Sequence, residues 1–288
     1  METVLISIGL LSGVFVLLHW LQRKLAQMSQ LRRQRGLGAV KAGVNLMTCV
    51  QQHRGMSAAL LSGDHSFKPR LLGMQDKIAQ ALNQVSDALT NAPEQGMARR
   101  RFLQIQQAWS QLQQQVQTLN PEQSFKQHTG LIRQVLYLLG DMGERAGLLE
   151  GHRLAQTQLA EVLLQRLPLL AESIGQARAL GSASAAKGAC GAVGRIRLAF
   201  LLQRIRTCQT QTDIAFDYPA LTALATRCSE KVDALQMVIS TRILGPDTID
   251  LAPDAYFKMA TDAIDACLAL WQAAAGLVAE GDGMAMQT

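Results

Sequence analysis

From residue 31 to residue 279 apolar side chains return at intervals of three and four, and no window longer than a few residues alternates apolar with polar. That period belongs to a helix with one buried stripe, and its persistence predicts a chain built from helices alone. Breakers divide the run: Gly63-Asp64, Asn91-Ala92-Pro93, Asn120-Pro121, Gly151, Asp217-Tyr218-Pro219 and Gly245-Pro246. Between them the pattern predicts helices over residues 31–62, 69–90, 97–119, 121–149, 152–180, 185–216, 220–244 and 254–279. Pro121 suits the first turn of the fourth, where a missing N–H is harmless. Long helices joined by short connections pack as antiparallel up-and-down bundles. At about 1.5 Å per residue these are roughly 33–48 Å long, which suits a rod of two bundles better than a ball. The expected fold class is all-α: eight long helices as two antiparallel four-helix bundles.

A further helix precedes them. Residues 3–21 (TVLISIGLLSGVFVLLHWL) carry no formal charge, a length that spans a bilayer core. The chain opens Met-Glu, without the basic start of a cleaved signal, and the run ends in Trp20, Arg23 and Lys24. An aromatic ring followed by basic groups suits the headgroup level, so the segment reads as an uncleaved anchor contacting the lipid bilayer. Gly9 and Gly13 form a GxxxG pattern that lets two such helices approach, as in a homodimer.

The charge is placed accordingly. Lys and Arg number 28 against 22 Asp and Glu, net +6. Arg23, Lys24, Arg32, Arg33, Arg35, Lys41 and Arg54 lie between residues 3 and 63 with no acidic residue among them. The positive-inside rule then predicts a single-pass protein of the inner membrane with its large C-terminal part in the cytoplasm. Charge gathered beside an apolar segment, with aromatics at 5%, argues against a nucleic-acid partner, which needs a basic reading face or stacking rings. The expected divisions are 1–22 anchor, 23–36 basic juxtamembrane segment, 37–279 helical domain and 280–288 flexible tail. Five cysteines (Cys49, Cys190, Cys208, Cys228, Cys267) without a CxxC read as reduced, helix-buried residues, in keeping with a cytoplasmic domain.

Signatures of catalysis are missing. There is no GxxxxGK[ST], no HExxH and no GxSxG, and the five histidines do not cluster at metal-ligand spacing. Gly188, Gly191 and Gly194 recur inside a helical pattern and read as close-packing positions, and carboxylates are expected at helix ends and on outward faces. No enzyme activity, cofactor or metal is expected.

The informative residues are arginines on apolar stripes. Arg54 follows Met47 and Val50, Arg178 follows Leu167, Leu170 and Ile174, and Arg242 follows Val232, Leu235 and Ile239. Each stands near the C-terminal end of its helix, where a cation is favoured. One reading is a snorkelling side chain or a pairing with Asp or Glu from a neighbour. The other is a small planar oxyanion, because a buried guanidinium needs an anion and its fork gives one parallel hydrogen bonds. His53, on the flank of the stripe, reads as solvated. Gln52-His53-Arg54-Gly55 is echoed by Gln176-Ala177-Arg178-Ala179, as though the second bundle repeats the first.

These strings also carry a family resemblance. Gln51-Gln52-His53-Arg54-Gly55-Met56-Ser57-Ala58 resembles the Arg-Gly signature of the nitrate- and nitrite-sensing (NIT) domain family. LPLLAESIGQARALG, ending at Gly181, resembles its fifth helix, and DAYFKMATDAID, from Asp254 to Asp265, its last. The resemblance covers residues 37–279. It implies two packed four-helix bundles and a nitrate or nitrite site built from arginines, carried here by Arg54 and Arg178; Arg242 rests on its inward register. It also implies signalling through an output module; the sequence ends at Thr288 without one, so the expected output is an unknown partner protein. The alternative is a degenerate NIT-like scaffold or adaptor that binds a protein and no anion, its arginines paired internally.

Overall fold

The computed structural model describes residues 2–90, 96–150 and 154–280, with no strand among them. The predicted breaks at Asn91-Ala92-Pro93 and Gly151, the packing of the residue 2–12 side chains and the tail after Glu280 lie outside that description.

Helix α1 runs from Glu2 to Leu61, 60 residues without a proline and about 90 Å long. The expected anchor, basic segment and first bundle helix are therefore one rod. From Phe15 to Met28 the described side chains are exposed, and burial begins at Gly36 and Leu37. Beyond that point α1 packs against α2 (Lys68–Thr90) and α4 (Pro121–Arg145), and α3 (Gly96–Gln115) closes the first bundle on α4. Asn120 caps α4 by accepting from the Gln123 backbone, Gln123 returns a bond to the Asn120 N–H, and Pro121 occupies the first turn as its sequence predicts.

The second bundle holds α5 (Leu154–Glu161), α6 (Leu167–Lys187), α7 (Ala192–Thr210), α8 (Thr222–Val238) and α9 (Pro253–Glu280). α5 and α6 are one rod joined through a π turn at Val162–Arg166, so the described chain forms eight rods in two antiparallel four-helix bundles. Pro168 accounts for the local geometry. The Leu167 N–H reaches back to the Val162 carbonyl, so the Leu163 carbonyl would need the N–H of residue 168, which proline lacks. The Trp271 indole of α9 donates to that carbonyl at 2.7 Å. Left unpaired in the core, the carbonyl would cost about 1–3 kcal/mol.

α6 lies between the bundles and is buried on nearly every side from Leu167 to Arg178. Its end differs from expectation. The helix continues to Lys187, where Gly188 at φ 64° takes the left-handed cap that suits glycine, and Gly191 precedes α7. Gly188 and Gly191 are thus punctuation, not packing positions. α7 stops at Thr210, and Asp213–Asp217 form a separate 3-10 turn. Among the described residues one helical stretch, Pro253–Ala279, is long and apolar enough to cross a membrane. It belongs to α9, whose Tyr256, Ala260, Ala263, Cys267 and Leu270 are buried in the second bundle, chiefly against α6. All five cysteines are free and buried.

Candidate anion site

The unbroken α1 carries Arg54 into the junction with α6, where the side chain is only 2% exposed. There it meets a carboxylate. Nη1 of Arg54 lies 2.7 Å from Oε1 of Glu172 and Nη2 lies 3.1 Å from Oε2, a paired fork-to-carboxylate contact. Arg54 Nη1 also donates to the Thr129 hydroxyl of α4 at 3.0 Å, and its guanidinium faces the Phe125 ring at 5.4 Å. Glu172 accepts two further bonds, from Gln51 and Gln176, both at 2.8 Å. Gly175 lets the helices close on this pair: a Cβ there would stand 3.0 Å from Arg54 Nη2. One internal carboxylate therefore answers the first-bundle arginine with every oxygen satisfied.

Arg178 is placed differently. It is 9% exposed, its Nη1 donates to the Thr261 hydroxyl of α9 at 2.8 Å, and its guanidinium lies 4.7 Å from the Phe257 ring centre. It forms no salt bridge among the described residues; Thr261 is neutral and a ring face is a weak counter-charge. Burial, and then the like charge of Arg54, push the Arg178 guanidinium below its ordinary range, with Asp265 and Glu172 acting against them. Arg54 and Arg178 thus share one junction, one cation paired and the other not.

Arg242 does not join them, which corrects the expected trio. α8 gives way to a π turn over Ile239–Leu244, and the inward line passes from Ile239 to Ile243. Arg242 is left exposed, donating to the Asp250 backbone carbonyl at 2.6 Å.

His53 also departs from expectation: it is fully buried, because α1 is covered on that flank by α2 and α4. Its Nδ1 lies 2.7 Å from Nε2 of His128, whose Nδ1 is 2.7 Å from the Ser124 carbonyl. The set is satisfied when each imidazole carries its proton on Nδ1, an assignment made from the partners. Trp109 closes the pair edge-on at 4.9 Å. Burial and then the neighbouring imidazole lower His53 to about 3, and burial lowers His128 to about 4, against hydrogen bonding to Ser124. Both rings are neutral at neutral pH.

Glu172 is the residue that sequence reasoning missed, since carboxylates were expected outside. The available signal was the run of small residues around it, Ala171, Ser173, Gly175 and Ala177, which leaves the helix no polar face. No group of three or more His, Cys, Asp or Glu among the described residues is arranged to hold a metal.

Residues 45–279 match the profile of the family described as nitrate and nitrite sensing, NIT. No curated protein sequence matches the chain. Among solved structures the chain is similar to one titled "Structure of the NasR transcription antiterminator", at a TM-score of 0.72 and 17% identity, over 94% of this chain and 76% of that one. At that identity the likeness is one of fold. It nonetheless corrects the exclusion of nucleic acid: the same fold occurs in a transcription antiterminator, so scarce aromatics and localised charge do not remove that class of partner.

Proposed function

Because the chain belongs to the nitrate and nitrite sensing (NIT) family, we propose that it is a membrane-anchored sensor that takes nitrate or nitrite at Arg178 and Arg54 and signals through another protein. The observation that carries this reading is the Arg178 guanidinium, buried against a hydroxyl and a ring with no carboxylate paired to it. A planar oxyanion there supplies the missing charge, and Arg54, whose like charge already acts on Arg178, shares it. Glu172 then acts as an internal competitor that holds Arg54 when no anion is present. The apolar, exposed stretch from Phe15 to Leu21, followed by Arg23 and Lys24, supports anchoring with the bundles on the cytoplasmic side.

The Arg54–Glu172 pair favours a second reading, a scaffold whose arginines are satisfied internally and which binds no anion. One experiment separates the two. The full-length protein in non-ionic detergent is melted in sodium nitrate, sodium nitrite and sodium chloride at matched ionic strength. A ligand binding only the folded state at about 100 times its dissociation constant adds about 2.7 kcal/mol. The sensor reading expects a higher midpoint in nitrate or nitrite that Arg178→Ala removes; equal midpoints in all three salts establish the scaffold.

A further inference from the structure

Between α4 and the α5–α6 rod, flanked by α3 and α7, lies a cavity of about 670 Å³. Glu172 and Gln176 form part of its wall, but Glu172 faces it with its oxygens already bonded to Arg54, Gln51 and Gln176. Leu136, Leu164 and Leu169 make the apolar wall. Among its other charged residues, Arg101 is bound to Asp141 at 2.5 Å, and Glu144 stands exposed at the rim.

Two cations remain. Arg204 is held by its Nε on the Ser173 hydroxyl at 2.8 Å, which leaves its Nη2 buried with no hydrogen-bond partner. A buried, unpaired guanidinium N–H is costly and calls for an acceptor. Arg133, one turn beyond Thr129 on α4, lines the same space and has no ion-pair partner among the described residues. The π turn at Val162–Arg166 supplies Leu164 and Gln165 to the wall, and such turns are frequent at functional sites. An ion of nitrate's size would leave most of this volume empty, whereas pockets between domains with apolar walls and a few convergent polar groups suit small organic ligands.

We propose that this cavity is a second binding site, for a small organic monocarboxylate with an apolar or aromatic body. The carboxylate meets the guanidinium groups of Arg204 and Arg133, and the body lies against the leucines. One negative charge matches two guanidinium groups that have no ion-pair partner among the described residues, set against the rim carboxylate of Glu144. The occupant would touch Gln176, a donor to Glu172, and so bear on the same network that holds Arg54.

The test uses benzoate as probe and benzamide as its uncharged counterpart, titrated calorimetrically into the full-length protein in non-ionic detergent. Benzoate should bind at least tenfold more tightly than benzamide. Arg133→Ala, at an exposed position, and Arg204→Ala should each weaken benzoate at least tenfold and leave benzamide unchanged. Equal binding of the two probes, no binding of either, or indifference of benzoate to both substitutions overturns the proposal. Displacement of benzoate by equimolar nitrate, lost in Arg204→Ala, also overturns it, since the cavity would then be an entry for the inorganic ion. The inference does not rest on the nitrate reading, whose salt-dependent melting is read at Arg178.

Discussion

Arg54 of the first bundle and Glu172 of the second meet in a paired contact of 2.7 and 3.1 Å, with each side chain 2% exposed. Their bond joins the two halves of the molecule where both partners are almost wholly buried. Removing one member of such a pair leaves an uncompensated charge, at a cost of about 3–5 kcal/mol. Glu172→Ala should therefore lower the free energy of unfolding by that amount, as read from a denaturant titration.

Glu172→Gln separates stability from sensing. The amide keeps the shape and removes the charge, so Arg54 loses its internal anion while the volume of the side chain stays filled. If Glu172 competes with the ligand, this variant should be less stable than the parent in chloride and gain more from nitrate than the parent does. A nitrate shift no larger than the parent's, read in the same melting experiment, rules out competition by Glu172.

The His53–His128 pair makes stability fall with acid. Both folded-state values, about 3 and about 4, lie below the ordinary histidine value near 6.5. Between those limits the unfolded chain binds more protons than the folded one, so stability is complete above pH 6.5 and is lost as pH falls toward 4. At pH 5 the expected loss is about 1–2 kcal/mol for each ring. Urea unfolding at pH 7, 6 and 5 checks the slope.

Gly181 faces the ring of Tyr256, and a Cβ at that position would fall 2.3 Å from two ring carbons. The ring is fully buried and its hydroxyl donates to the Ala177 carbonyl at 2.9 Å, so it has no room to move. Gly181→Ala should destabilise by about 1–3 kcal/mol or more through overpacking. Because Phe257 follows Tyr256 and covers Arg178, the nitrate-dependent shift should weaken as well.

Arg242→Ala is expected to be nearly silent. Its guanidinium is exposed and holds one backbone carbonyl, so the change in stability should stay within about 0.5 kcal/mol. The melting difference between nitrate and chloride should match that of the parent.

The different fates of Arg54, Arg178 and Arg242 show what sequence can carry. A stripe at three- and four-residue spacing predicts an inward residue as long as the helix keeps 3.6 residues per turn, and α1 and α6 do so up to both buried arginines. The π turn at Ile239–Leu244 takes up extra residues without any local signal, so extrapolation into it fails at Arg242. The same limit applies to Glu172 and His53. A stripe describes a helix with one buried face, but α6 lies between two bundles and α1 is flanked by two neighbours, so flank positions become interior. The bundle architecture was legible because it depends on many side chains at once, whereas the ion pair depends on two that are distant in sequence.

The continuity of α1 fixes the kind of motion that any event at Arg54 can export. Some 39 residues separate Arg54 from Phe15, about 58 Å of helix with no proline to act as a joint. A shaft of that sort neither amplifies nor stores displacement. It delivers sliding along its axis and turning about it at unit gain, so a one-ångström stroke at the guanidinium arrives as a one-ångström stroke at the far end. A receiver at that end must therefore respond to piston or torsion and be sensitive on the ångström scale.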